Sequence, residues 1–274
     1  MIFARDKSQM CNNLLQFAHV YAWGREHDRK VMSMRFSYKY PYFKITHSNL
    51  VSFPLYVIAK LLAAIKVLPT ASFKHAECDP VALEQEMLHY KHIVVSGWYV
   101  HYYDLFLKYR NEICDLFTID PSYTEPVKTW MSDWQGTRLG VHIRRGDYAV
   151  WKDGVYCYDD TVYADYIRQF AVLKPDETID VFLSTNDPDV SVEKFKSLLN
   201  DQENHIRLHL LGGNAVEDLF MLSACDYIIG PPSTYSLVAA MYRDIPLCRM
   251  DQVESHQLSI SDFKSFDYWF RRII

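Results

Sequence analysis

The chain has 274 residues, of which 49% are hydrophobic, 15% aromatic and 23% charged. That is the composition of a folded globular protein, organised as one large domain or two small ones, and it excludes a disordered chain. The 29 basic and 34 acidic residues leave a net charge of −5, which argues against a general nucleic-acid binder but allows a local basic site for a phosphate.

Met1 to Lys7 shows no basic segment leading into an apolar run, so no secretory signal is expected. Six cysteines, at 11, 78, 114, 157, 225 and 248, include no C-x-x-C pair. Scattered in this way they read as reduced thiols of a cytosolic protein, and zinc-ribbon or thioredoxin-like chemistry has no support. A cytoplasmic location is the expectation.

Residues 10–24 predict a helix, with Asn12 as N-cap and Gly24 as stop. The most membrane-like stretch, residues 50–69, is interrupted by Pro54, Lys60 and Lys66 and lacks an uninterrupted spanning run. It reads as a buried helix of the first domain. The alternative is peripheral contact with the inner face of a membrane, the two lysines snorkelling. Residues 80–92 read as a helix, Ile93 to Gly97 as a buried strand and Tyr102 to Phe117 as a helix; residues 118–126 are rich in turn residues and form the best linker.

The second half alternates. Strand patterns at 139–144, 179–184, 206–211, 227–230 and 246–249 are separated by helical patterns at 161–173, 190–199, 215–224 and 233–242. Such alternation predicts a parallel sheet wound with helices, whose ligands sit outside the carboxyl ends of the strands.

Three segments at those ends carry chemistry. In Gly140-Val141-His142-Ile143-Arg144-Arg145-Gly146-Asp147-Tyr148, strand alternation points Val141 and Ile143 to the core and puts His142 and Arg144 on the other face. Two adjacent guanidiniums suit an anion such as a phosphate, although pairing with Asp147, Asp159 or Asp160 would also account for them. The embedded Arg-Gly-Asp is discounted as a cell-adhesion signal, being a short match without context.

In the segment 226–240, a buried strand ends at Gly230 and Pro231-Pro232 turns the chain. Ser233 or Thr234 then opens a helix whose N-terminus can bind an anion, besides serving as an ordinary cap. Glu217-Asp218 opens the helix 215–224. Acids are favoured in any first turn, and Asp218 could also accept two hydrogen bonds from a guanine edge. Asp187-Pro188-Asp189 has the form of a D-x-D metal motif, yet reads better as a helix start with Pro188 at the first helical position.

Together these segments resemble the fucosyltransferase superfamily, most closely glycosyltransferase family 11, the α-1,2-fucosyltransferases. The H-x-R-R-G-D-Y peptide of the family is matched by His142 to Tyr148. Its D-x-x-x-M-S-x-C segment is similar to Asp218 to Cys225, and its S-[ST]-[FY]-S to Ser233-Thr234-Tyr235-Ser236. Asn12 to Ala18, Gly97-Trp98-Tyr99 and Val181 to Pro188 resemble further family segments. The chain departs from the family at Asp6 to Cys11, where a Gly-rich loop is usual, and at Leu237-Val238, where a Trp pair is usual. Both departures bear on the acceptor side.

The resemblance implies an α/β, GT-B-like fold. Two Rossmann-like halves would face across a cleft, residues 1–128 on the acceptor side and 129–274 binding the nucleotide sugar. It implies an inverting transfer of L-fucose from GDP-β-L-fucose to a galactose-type hydroxyl, with an oligosaccharide or glycolipid, such as a bacterial surface glycan, as acceptor. No metal and no cofactor beyond the donor substrate are implied, and no nucleic-acid partner. Arg144 would neutralise the β-phosphate, with Arg145 supporting it or pairing to Asp147. Ser233, Thr234 and Tyr235 would hold the diphosphate end, His142 and Asn12 would contact the donor, and Asp218 would read guanine. Asp147 and Asp6 are the candidates for general base. Two alternatives are transfer of another GDP-sugar or linkage, and a non-catalytic carbohydrate- or nucleotide-binding protein.

Overall fold

The computed structural model describes residues 1–5, 8–199, 205–251 and 257–272; Asp6 lies outside them. Residues Met1–Asp120 and Pro121–Ile274 form two compact units. A boundary after residue 128 would cut a helix that belongs to the second unit.

The first unit runs β1 (Ile2–Arg5), α1 (Met10–Glu26), β2 (Val31–Ser33), α2 (Phe53–Ala64), β3 (Thr70–Ser72), α3 (Pro80–His89), β4 (Ile93–Ser96), α4 (Tyr103–Lys108) and α5 (Arg110–Leu116). Its sheet has the order β2-β1-β4-β3, every pair parallel. Strands β1, β2 and β3 carry no sequence signal. They are three or four residues long, and β2 is buried throughout, so the alternation that betrays a half-exposed strand is missing.

Helix α1 starts two residues before the expected cap. Gln9 is its N-cap, and Asn12 instead donates to the Ser8 hydroxyl at 2.8 Å from inside the first turn. Gly24 does not end the helix. A Cβ there would lie 2.3 Å from Val31 Cγ2 and 2.7 Å from the Arg29 carbonyl oxygen, so the glycine serves the tight return of the chain into β2.

Helix α2 also differs from expectation. Tyr56, Ala59, Leu62 and Ala63 pack on Phe3, Met32, Met34, Leu68 and Val94, but Ala59 is the helix's one buried residue. The sheet covers one side of the helix and leaves the apolar residues of the other in solvent. Among the described residues, no helix is long and apolar enough to cross a membrane.

The second unit runs α6 (Pro121–Met131), β5 (Thr137–Ile143), α7 (Asp160–Leu173), β6 (Ile179–Thr185), α8 (Val192–Leu199), β7 (Ile206–Leu210), α9 (Ala215–Ser223), β8 (Tyr227–Gly230), α10 (Thr234–Arg243), β9 (Leu247–Arg249) and α11 (Phe266–Phe270). The expected linker is mostly helix. Pro121 opens α6, where a missing N–H costs nothing. Val127 and Met131 then pack on Phe182, Met221 and Cys225, and this burial outweighs Pro126 within the helix.

The sheet order is β7-β6-β5-β8-β9, all parallel. Val141 and Ile143 of β5 and Val181 and Leu183 of β6 face a core shared with α7 and α8, including Tyr163, Ile167, Phe170 and Phe195. Phe182 points to the opposite layer with α6 and α9. The strand order reverses between β5 and β8, which makes their carboxyl ends the switch point of the sheet, where ligands of such folds bind.

Candidate functional site

The first site residue at the switch point is His142, near the end of β5. It is buried, with Nδ1 lacking a hydrogen-bond partner among the described residues. Its ring packs on Tyr235, centroids 4.9 Å apart. Burial, with the nearby Arg144 charge adding, lowers its pKa to about 3, so the imidazole is neutral at physiological pH. The Tyr235 hydroxyl donates to the Ala215 carbonyl at 2.7 Å, joining the first turns of α9 and α10.

Arg144 follows β5. Its guanidinium meets Asp147 at 2.7 Å and lies 5.5 Å from the centre of the Tyr148 ring. The Tyr148 hydroxyl donates to the Pro232 carbonyl at 2.6 Å, one residue before the Ser233 cap of α10. Ser233 Oγ accepts the Tyr235 N–H at 3.2 Å, and Thr234 is the first helical residue. The guanidinium and the positive end of a ten-residue helix are therefore tied together through one tyrosine. That pairing presents two kinds of anion donor, a fixed charge and backbone N–H groups. Gly146, with φ +68°, makes the turn after the two arginines.

The adjacent arginines have different surroundings. Of the carboxylates expected near the pair, Asp147 meets Arg144 and not Arg145, whereas Asp160 does meet Arg145. Arg145 also bonds Asp187, at 2.8 Å. Its backbone N–H donates to Asn186 Oδ1 at 2.8 Å, and the Asn186 side chain donates back to the Arg145 carbonyl at 3.0 Å. Arg145 thus clamps the chain after β5 to the chain after β6 and to the start of α7.

Asp187 is not at a helix start. Helix α8 begins at Val192, with Ser191 Oγ accepting the Lys194 N–H at 3.2 Å. One Asp187 oxygen binds Arg145 and the other accepts the Asp189 N–H at 3.0 Å. Among the described residues, no group of three or more His, Cys, Asp or Glu side chains is placed to hold a metal ion.

At the start of α9 the two neighbouring acids separate. Glu217 closes a capping box with Asn214, its side chain accepting the Asn214 N–H at 2.8 Å while Asn214 accepts the Glu217 N–H. Asp218 turns toward the end of β6 and is 8% exposed. One of its oxygens accepts the Ser184 hydroxyl at 3.1 Å, and Oδ1 has no hydrogen-bond partner among the described residues. Burial raises its pKa to about 7, Ser184 and the Thr185 backbone opposing the shift and Glu217 adding to it. A buried, under-bonded carboxylate at the carboxyl edge of a sheet is a strong acceptor for paired N–H donors.

His142, Arg144, Asp147, Ser233, Thr234, Tyr235 and Asp218 all lie at this one edge of the second unit, while Asn12 belongs to the first unit. The sequence reading did not single out Tyr148 or Ser184 individually. The only signal was their inclusion in the quoted segments, because their roles depend on long-range contacts.

No protein-family model matches the chain, and no curated protein is significantly similar to it. Solved structures are. A mutant of Arabidopsis thaliana FUT1 in complex with GDP superposes with a TM-score of 0.67 at 12% identity, over 96% of this chain and 73% of that one. The α-1,6-fucosyltransferase NodZ, soaked with GDP-fucose, gives 0.59 at 14% identity, over 92% and 94%. POFUT1 in complex with GDP-fucose gives 0.55 at 12% identity, over 89% and 93%. The fold is GT-B-like. It consists of two Rossmann-like α/β halves, each around its own parallel sheet.

Proposed function

We propose that this protein is an inverting fucosyltransferase that moves L-fucose from GDP-β-L-fucose to a galactose-type hydroxyl of a glycan, forming an α-1,2 linkage. The observation that carries the reading is the union of Arg144 with the N-terminus of α10 at the switch point. It is supported by the buried, under-bonded Asp218 on the same edge and by a fold shared with proteins solved with GDP or GDP-fucose. The linkage rests on the family resemblance of the sequence.

On this reading the second unit binds the donor and the first recognises an oligosaccharide or glycolipid acceptor. Asp218 accepts hydrogen bonds from N1–H and the 2-amino group of guanine. His142, neutral and uncharged by burial, contacts the nucleotide without repelling the Arg144 charge.

The acceptor oxygen forms its bond to fucosyl C1 as the bond from C1 to the β-phosphate oxygen breaks, and the electron pair leaves with GDP. Arg144, Ser233, Thr234 and the helix terminus stabilise the charge that develops on the diphosphate. Tyr235 holds the α10 terminus against α9, and Arg145 braces the loop that carries Arg144. The acceptor proton passes to Asp147 or to a diphosphate oxygen. No step requires a metal.

The direct test is a transfer assay with labelled GDP-fucose on an array of galactose-terminated glycans. Label on O-2 of galactose is the expected result. Binding of GDP without transfer to any glycan would reduce the protein to a nucleotide-binding scaffold.

A further inference from the structure

Helix α2 is apolar on both faces, the pattern of a helix enclosed by protein or lipid, yet one face is covered by none of the described residues of its own unit. Ile58, Leu61 and Ile65, spaced three and four residues apart, form a stripe that is 51%, 61% and 68% exposed, and Phe53 and Val67 extend it at both ends. Single exposed apolar residues are ordinary, but a contiguous stripe marks an interaction surface.

The stretch of chain that carries the stripe is one-sided in charge. Residues 29–76 contain eight Lys and Arg and no Asp or Glu. The rest of the chain has 21 basic and 34 acidic residues, a net of −13. Of the eight, Arg29 is held by backbone carbonyls and Lys44 by Asp115. Lys60 lies 5.7 Å from the centre of the Tyr56 ring, Tyr56 stacks on Tyr38 at 4.7 Å, and the Arg35 guanidinium lies 5.7 Å from the Tyr38 ring. Lys39 follows Tyr38 directly, and Lys66 follows the helix; both are exposed.

We infer that α2 docks this protein on an anionic lipid bilayer surface, the Ile58-Leu61-Ile65 stripe entering the acyl boundary and Lys39, Lys60 and Lys66 meeting the headgroup phosphates. Phe53, Tyr38 and Tyr56 supply rings suited to the interfacial zone. The helix is too short to span, so it lies in the plane of the surface. A second copy of this chain fits the face poorly, because a two-fold interface would set these cations against their own counterparts. The inference is independent of the transferase reading.

Co-sedimentation with vesicles tests it. The unmodified chain should pellet with phosphatidylcholine vesicles containing phosphatidylglycerol, bind pure phosphatidylcholine weakly, and be released by high salt. A Lys39→Glu, Lys60→Glu, Lys66→Glu variant should bind at least about 100-fold more weakly, since each cation near an anionic surface contributes roughly five-fold. An Ile58→Ser, Leu61→Ser, Ile65→Ser variant should also lose binding. Both should keep the far-UV circular dichroism and Tm of the parent, because every substituted side chain is exposed. Failure of the parent to bind anionic vesicles would overturn the inference, as would undiminished binding by either folded variant. Dimerisation in sedimentation equilibrium that the serine variant abolishes, without vesicle binding, would replace lipid by a second copy.

Discussion

Arg144 and Asp147 form an ion pair of 2.7 Å across the Gly146 turn, with the Asp147 side chain 53% exposed and that of Arg144 17% exposed. The acid orients the guanidinium from the solvent side without enclosing it, so an incoming diphosphate can share the same cation.

Arg144→Ala should therefore lower kcat/KM for fucosyl transfer by at least about 100-fold, the usual scale for losing a charge-assisted transition-state contact. The Tm should fall little, since the Asp147 carboxylate left behind is 53% exposed and a pair open to solvent on one side contributes about 1 kcal/mol or less. Near-normal transfer by the folded variant would remove Arg144 from the reaction.

Arg145→Ala should behave in the opposite way. It breaks contacts to Asp187 and to the buried Asp160, which among the described residues keeps only the exposed Lys194 at 2.5 Å as counter-ion. The cost should approach but stay below the roughly 3–5 kcal/mol of a fully stranded buried carboxylate. Thermal denaturation should show a marked fall in Tm, and Arg145→Lys should rescue it only in part, because an ammonium cannot span both acids as the planar fork does. An unchanged Tm in the alanine variant would refute the clamp.

Asp218 predicts a pH dependence for nucleotide binding. Its carboxylate has a pKa near 7 in the free protein, and guanine N–H donors favour the charged form. GDP affinity measured by calorimetry should rise as pH increases toward 7, by up to about tenfold per unit, and level off above it. Stability of the free protein runs the other way. The folded pKa lies above the ordinary 3.8, so this group's contribution is full below about pH 4 and is lost as pH rises through 7. Asp218→Asn should flatten both profiles and narrow the preference for GDP over UDP. Equal binding of GDP and UDP to the unmodified chain would exclude guanine reading.

Transfer should persist in EDTA. Both oxygens of Asp187 are engaged, one by Arg145 and one by a backbone N–H, so Asp187-Pro188-Asp189 is not free to bind a cation unless that clamp opens. Loss of activity on chelation, restored by manganese or magnesium, would reinstate the metal motif.

Much of the second unit is legible because its signals are local. Apolar runs bounded by turn residues give β5 to β9, amphipathic segments give the helices between them, and a parallel sheet puts the strand ends that carry His142, Arg144 and Ser233 on one edge. Alternation alone sends Val141 and Ile143 to the core and His142 to the other face. The first unit is less legible because β1, β2 and β3 are only three or four residues long, too short to show a pattern, and β2 is buried throughout. Its α2 pattern fits a core helix as well as a surface one.

What the sequence could not supply is the choice among equivalent neighbours. Arg144 and Arg145 are the same residue type one position apart, and Glu217 and Asp218 are adjacent acids in one helical turn. Local pattern ranks neither pair. Tertiary structure decides both. Arg145 meets Asp160 and Asp187, 15 and 42 residues away, which leaves Arg144 for the loop and the α10 terminus. Glu217 closes a cap on its own helix, while the 100° rotation per residue carries Asp218 to Ser184 on another strand. Composition and periodicity are set by neighbours along the chain, but a charge or a carboxylate acquires its role from groups the fold brings from far away.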